Sequence, residues 1–147
     1  MTNPQIFDQE GLRISSEAGR MHPGIKERWV RALLAMDPDT QMIGSLALCR
    51  EWSGGRQWNA LGVLCRVMAI PETIVPGPDH TASVLFDGAS HYLTPRVLSL
   101  AHLVPRGPHV GRIYIDNTLH HQGYTIQHLS ASGCTFRTLA KMIDSQL

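Results

Sequence analysis

Residues Trp58 to Ile70 are apolar almost all round, and a segment of that kind must be enclosed on every side. Its length and the spacing of Leu61, Leu64, Val67 and Met68 favour a buried helix over a strand. Gly62 inside it costs a helix about 1 kcal/mol relative to alanine, which signals close approach by another backbone. A central helix follows, and the rest of the chain has to surround it. With 147 residues and 43% apolar content there is material for one domain with a sizeable core.

On either side the pattern changes register. Ile25, Trp29, Ala32, Leu33 and Met36 recur at helical spacing from Pro23 onward, with Lys26, Glu27, Arg28 and Arg31 on the other face. Asp37-Pro38-Asp39 ends that helix, because the residue before a proline is pushed out of the helical region. Met42 to Arg50 reads as a short strand leading into a turn at Trp52-Ser53-Gly54-Gly55-Arg56. Residues 71–81, with Pro71, Pro76, Gly77 and Pro78, read as a loop. Ser83 to Phe86 and His91 to Leu93 bracket Asp87-Gly88 as a small hairpin or tight turn. Thr94 caps and Pro95 opens a helix to about Leu103, and Val110 to Ile115 reads as a strand. Thr125 caps a short helix to Ala131 that Gly133 stops, and Thr135 caps a last helix with Phe136, Leu139, Ala140 and Ile143 on its apolar face. The expected fold is α+β, a small antiparallel sheet with about five helices and a C-terminal helical hairpin. Residues 1–21 form an N-terminal arm without a face to bury, and 22–147 a single domain.

Three segments carry a resemblance. They are Leu61 to Cys65 (LGVLC), Phe86-Asp87-Gly88 followed by Leu93 to Val97, and Gly133 to Ala140, preceded by Trp29 to Leu33 and Gly44-Ser45-Leu46. In this order and spacing, over roughly residues 25–145, the chain resembles a family of small uncharacterised proteins encoded by tailed bacteriophages and prophages. Where that family's pattern has Asn-Asp before the C-terminal glycine, this chain has Ser130-Ala131. The resemblance implies a mobile-element gene and a cytosolic protein, with no assigned chemistry.

The formal charge of +1 supplies no field to hold a polyphosphate, which disfavours non-specific nucleic-acid binding. No apolar run approaches the roughly 20 residues that span a bilayer, and the N-terminus MTNPQIFDQE lacks the regions of a signal peptide, so a cytoplasmic protein without membrane contact is expected. Cys49, Cys65 and Cys134 are odd in number and widely spaced, with no CxxC, and read as reduced, buried thiols. Cys134, at the mouth of the last helix, is also the position where a helix N-terminus would lower a thiol pKa.

Eight histidines are the one over-represented functional type. The densest group is His120, His121 and His128, which reads as a metal site only if the fold gathers them, since adjacent residues of an extended chain point to opposite sides. The C-terminal hairpin has the outline of a helix-turn-helix, but only Arg137 and Lys141 bring charge to its second helix. The features that permit anion binding are Arg56 and Trp58 beyond the Gly-Gly turn, His80 in the Pro-Gly loop, Arg106 and His109 in a second one, and Arg112 with Tyr114. Arginine forks onto phosphate and the aromatic rings can stack on a base. The first expectation is therefore a non-enzymatic accessory protein, a homo-oligomer without a cofactor, that binds a small anionic molecule such as a nucleotide signal of host defence. A metal-assisted hydrolase using His120 to His128, and a DNA-binding regulator, are the alternatives.

Overall fold

The computed structural model describes residues 21–52, 54–103, 109–110, 113–115, 118–120 and 124–147, the side chains of 109–124 excepted. Of the expected N-terminal arm, only Met21 falls within this set, and it is buried.

Helix α1 (Pro23–Ala35) starts with proline in its first turn, where a missing N–H costs nothing, and His22 Nδ1 accepts the Ile25 amide at 3.3 Å as its cap. Ile25, Trp29 and Leu33 form its buried stripe. Met36 leaves the helix in an extended conformation, and a single 3₁₀ turn, Pro38–Thr40, follows. The strand expected over 42–50 forms only at its far end, since Met42 and Leu48 are drawn into the core as irregular chain. Strand β1 (Cys49–Trp52) instead turns through the expected glycine corner into β2 (Gly55–Trp58).

Trp58 is thus the last strand residue, and Asn59 caps the central helix α2 (Ala60–Val67) by accepting the Leu61 amide at 3.0 Å on Oδ1. Every residue from Ala60 to Cys65 is buried. A Cβ on Gly62 would stand 2.0 Å from the Leu48 carbonyl oxygen, so the glycine is what lets this helix lie against the chain entering β1.

The loop expected over 71–81 is corrected by the structure. Strand β3 (Glu72–Pro76) pairs in full with β4 (Ala82–Phe86), leaving only 77–81 as the connecting turn. Pro76 fits because β3 is an edge strand and the backbone of this residue is directed outward, where a missing N–H costs no ladder bond, while Pro71 precedes the strand and accepts the Asp87 amide on its carbonyl. The four-stranded sheet is antiparallel in the order β2-β1-β4-β3. A second correction concerns the hairpin around Asp87-Gly88. Asp87 and Gly88 do form a tight turn, with both residues at positive φ and a bridge from Phe86 to Ala89, but His91 to Leu93 adds no strand.

Asp87 instead fastens the next helix, α3 (Pro95–Ala101). Thr94, the α3 cap, donates its hydroxyl to Asp87 Oδ2 at 2.6 Å, and Arg96 reaches Oδ1 at 3.4 Å. Short strands β5 (His109–Val110), β6 (Ile113–Ile115), β7 (Thr118–His120) and β8 (Tyr124–Thr125) pair as β5 with β8 and β6 with β7. Helices α4 (Ile126–Ala131) and α5 (Phe136–Gln146) carry the expected threonine caps, and Gly133 takes φ +100° in the turn between them. The described residues therefore hold five α-helices and one four-stranded sheet, an α+β fold with a helical hairpin at its C-terminus.

One face of the sheet, carrying Trp58, Cys49, Val84 and Phe86, joins Trp29, Leu64, Ile126, Leu139 and Ile143 in a common core. Buried polar groups join its parts. Trp29 Nε1 donates to the Ala60 carbonyl at 2.9 Å, and Ser130 Oγ accepts the Ala60 amide at 3.0 Å. Asn59 Nδ2 donates to the Gln127 carbonyl at 3.1 Å, and Gln41 Nε2 to the carbonyls of Ser130 and Cys134, each at 2.8 Å. Each of these groups would cost about 1–3 kcal/mol if left buried and unpaired.

Candidate functional site

Two residues apart on one strand, Arg56 and Trp58 share a face of the sheet. Trp58 lies inward and is buried, while Arg56 stands at the rim. The register sets Glu51 directly across from Arg56, and Arg56 Nε donates to Glu51 Oε2 at 2.9 Å. From the start of β3, Glu72 receives the other two guanidinium nitrogens, NH2 to Oε1 at 2.8 Å and NH1 to Oε2 at 3.2 Å. This is the parallel two-bond fork by which arginine holds a carboxylate or a phosphate. The Glu72 bond raises the Arg56 pKa, and the same bond lowers that of Glu72.

Arg66, exposed at the end of α2, brings a second guanidinium to the group. Arg66 lies 5.5 Å and Arg56 5.8 Å from the centre of the Trp58 ring. Both distances lie within the range of a cation–π attraction. Arg56 and Trp58, read from the sequence as anion-binding features, are neighbours in space, but the buried ring serves as a platform for guanidinium groups, and the Arg56 fork is filled by the chain's own carboxylates. Arg66, Glu51 and Glu72 were not singled out by sequence. Only Glu51 carries a signal for it, as the residue placed opposite Arg56 once the glycine turn is taken as a tight hairpin.

His80 stands apart in the exposed 77–81 turn at φ +60°. Arg106, Arg112 and His121 lie outside the described residues, and His109, Tyr114 and His120 are placed by backbone alone. That backbone sets His109 across from Thr125, at the start of α4, and His120 across from Ile113. His128 shares a 2.6 Å hydrogen bond between its Nδ1 and the Thr125 hydroxyl, which also accepts the His128 amide. Among the described residues no three metal-capable side chains come together.

The thiols are set against nucleophilic chemistry. Burial pushes Cys49 and Cys65 up to about 12, and burial also raises Cys134, so desolvation outweighs any pull from the α5 N-terminus. A shallow apolar pocket of about 320 Å³ beside α3, lined by Pro95, Leu98, Ser99 and Leu103, contains no titratable group. No helix among the described residues is long and apolar enough to cross a membrane. No family model matches the chain, and no curated protein or solved structure is detectably similar to it.

Proposed function

We propose that this is a non-enzymatic binding protein, a homo-oligomer that takes a small anionic molecule at the Arg56–Arg66 rim. The observation that carries this reading is the two-bond fork of Arg56 on Glu72, flanked by a second guanidinium over the same tryptophan. Glu72 occupies the fork as a ligand carboxylate or phosphate would. Its side chain is 38% exposed on an edge strand, so it can give way to a competing anion. Once Glu72 swings out, Arg56 and Arg66 offer two positive charges around Trp58, balanced among the described contacts by Glu51. A nucleotide signal of host defence is the class to test first, on the strength of the phage-protein resemblance. The alternatives gain less. His128, the described member of the histidine group, has one ring nitrogen engaged by Thr125, and α5 adds only Arg137 and Lys141 on exposed positions that also include Asp144.

The test is a native mass spectrum of gently purified protein, followed by calorimetric titration with a nucleotide panel and inorganic phosphate. Binding without turnover is expected, lost in Arg56→Ala and tightened by up to about fivefold in Glu72→Gln, which removes the internal competitor's charge at a gain of under about 1 kcal/mol, the worth of that partly exposed pair. Affinities that neither substitution moves overturn the site.

A further inference from the structure

Strand β3 is exposed at all five of its positions, Ile74 and Val75 at 47% and 44%, and among the described residues its outer edge pairs with nothing. The hydrogen bonds flanking it fix which groups that edge presents. The Asp87 amide donates to the Pro71 carbonyl at 3.0 Å and the Gly77 amide to the Thr81 carbonyl at 2.8 Å, so the odd-numbered residues bond inward to β4. Glu72, Ile74 and Pro76 therefore direct their backbone groups outward. The edge offers the N–H groups of Glu72 and Ile74 and the carbonyls of all three, because Pro76 has no N–H.

We propose that this edge joins a second copy of the chain by antiparallel strand addition about a two-fold axis at Ile74. The proposal rests on the reading of the protein as a homo-oligomer and names its interface. In that register Ile74 of each copy exchanges both bonds with Ile74 of the other, and each Glu72 N–H meets a Pro76 carbonyl. All four outward donors of the two copies are then satisfied, and only the Glu72 carbonyl at each end of the ladder, opposite a proline that has no N–H, is left to solvent. The side chains agree with the same register. Ile74 faces Ile74, Thr73 faces Val75, and no two like charges are opposed, which is the pairing that stabilises neighbouring strands. A shift of the axis to Thr73 sets the Glu72 carboxylate against Ile74 and forfeits the apolar pair, and a further shift to Glu72 opposes two carboxylates.

Natural edge strands are commonly protected by charged side chains, proline, a bulge or a covering element; here Glu72 and Pro76 stand only at the two ends, and among the described residues no lysine, bulge or covering element guards Thr73 to Val75. A second copy fits better than an arbitrary peptide because the complement is already written in the strand itself. The two four-stranded sheets become one continuous sheet. Arg56 and Glu72 of both copies then lie on one face of it, which places two candidate anion sites near the same axis.

A five-residue edge buries far less than the roughly 800 Å² per partner of a standard interface, so a dissociation constant on the order of 0.1 mM is expected. Sedimentation velocity on the full chain from about 10 µM to about 1 mM spans that value. The wild type should pass from monomer to dimer. Ile74→Lys and Ile74→Glu should each weaken the dimer at least about tenfold by opposing like charges across the axis, while an equimolar mixture of the two variants should recover it. Near-UV circular dichroism checks that both variants keep the fold. A wild type that stays monomeric to about 1 mM overturns the interface and the homo-oligomer together. A dimer indifferent to Ile74→Lys overturns the interface and leaves the homo-oligomer standing. Two weakened variants that do not recover on mixing overturn the two-fold register.

Discussion

Replacing Gly62 by alanine tests the packing of the central helix. In an isolated helix the change would help, since alanine is about 1 kcal/mol better than glycine. Here the new Cβ would sit 2.0 Å from the Leu48 carbonyl oxygen and 2.8 Å from its carbon, about 1.4 Å short of the 3.4 Å at which contact becomes ordinary. The obstacle is backbone, and it is anchored at both ends. The Leu48 amide donates to the Ser90 carbonyl at 2.8 Å, and its carbonyl accepts the Asn59 amide at 3.0 Å. The Trp58 ring also stands 3.2 Å from the same Cβ, a second contact tighter than ordinary packing. Overpacking costs roughly 1–3 kcal/mol and a disrupted buried hydrogen bond about 1–3 kcal/mol more. Less the propensity gain, Gly62→Ala should destabilise by about 3 kcal/mol, a fall in melting temperature on the order of 10 °C. Urea unfolding followed by tryptophan fluorescence would measure it. A neutral or stabilising result would refute the close approach of α2 to Leu48.

Three further outcomes are expected. Asn59→Ala removes the α2 cap and the bond that ties it to the Gln127 carbonyl of α4, and urea titration should show a loss of about 1–3 kcal/mol, against near-neutral behaviour for an exposed control such as Ser99→Ala. With Cys49 and Cys65 pushed up to about 12, a disulfide reagent at neutral pH should modify those two thiols only at the rate of unfolding, and all three cysteines promptly in denaturant. The hydrogen bond from Arg56 holds Glu72 below its ordinary value of 4.5, so its stabilising contribution is complete above that value and is lost as the pH falls through the lower folded pKa. Glu72→Gln should therefore cost stability at pH 7, by under about 1 kcal/mol because the pair is partly exposed, and the difference from wild type should close under acid.

The helices were legible wherever a cap and a stripe coincide. Thr94, Thr125 and Thr135 each cap the helix expected of them, and Ile25, Trp29 and Leu33 fill the expected stripe. Strand β3 was not legible, because proline density is ordinarily a loop signal, and only the pairing with β4 shows that Pro71 and Pro76 merely delimit an edge strand. The beginning of α2 was misplaced by two residues although Asn59 carried an N-cap signal, since Trp58 continues the apolar run without a break. At the candidate site, Arg56 and Trp58 were found through residue type. Glu72, 16 residues from Arg56, was not, because the partner of a charge is set by strand order rather than by spacing. Gln41 and Ser130 had no local signal at all, as the bond from Gln41 to the Ser130 carbonyl crosses 89 residues.

The same long reach governs how the chain can be made. The Lys26 ammonium meets the Asp144 carbonyl across 118 residues, Trp29 lies in one core with Ile143, and the first amide of α2 waits for Ser130. A nascent chain leaving the ribosome presents α1 and the central helix well before the hairpin that covers them has been synthesised. Their apolar surface must stay in solution or in the hands of a chaperone until residues 126–147 emerge. The core then closes late and as a unit, and a ribosome stalled before α4 would hold a chain unable to complete it.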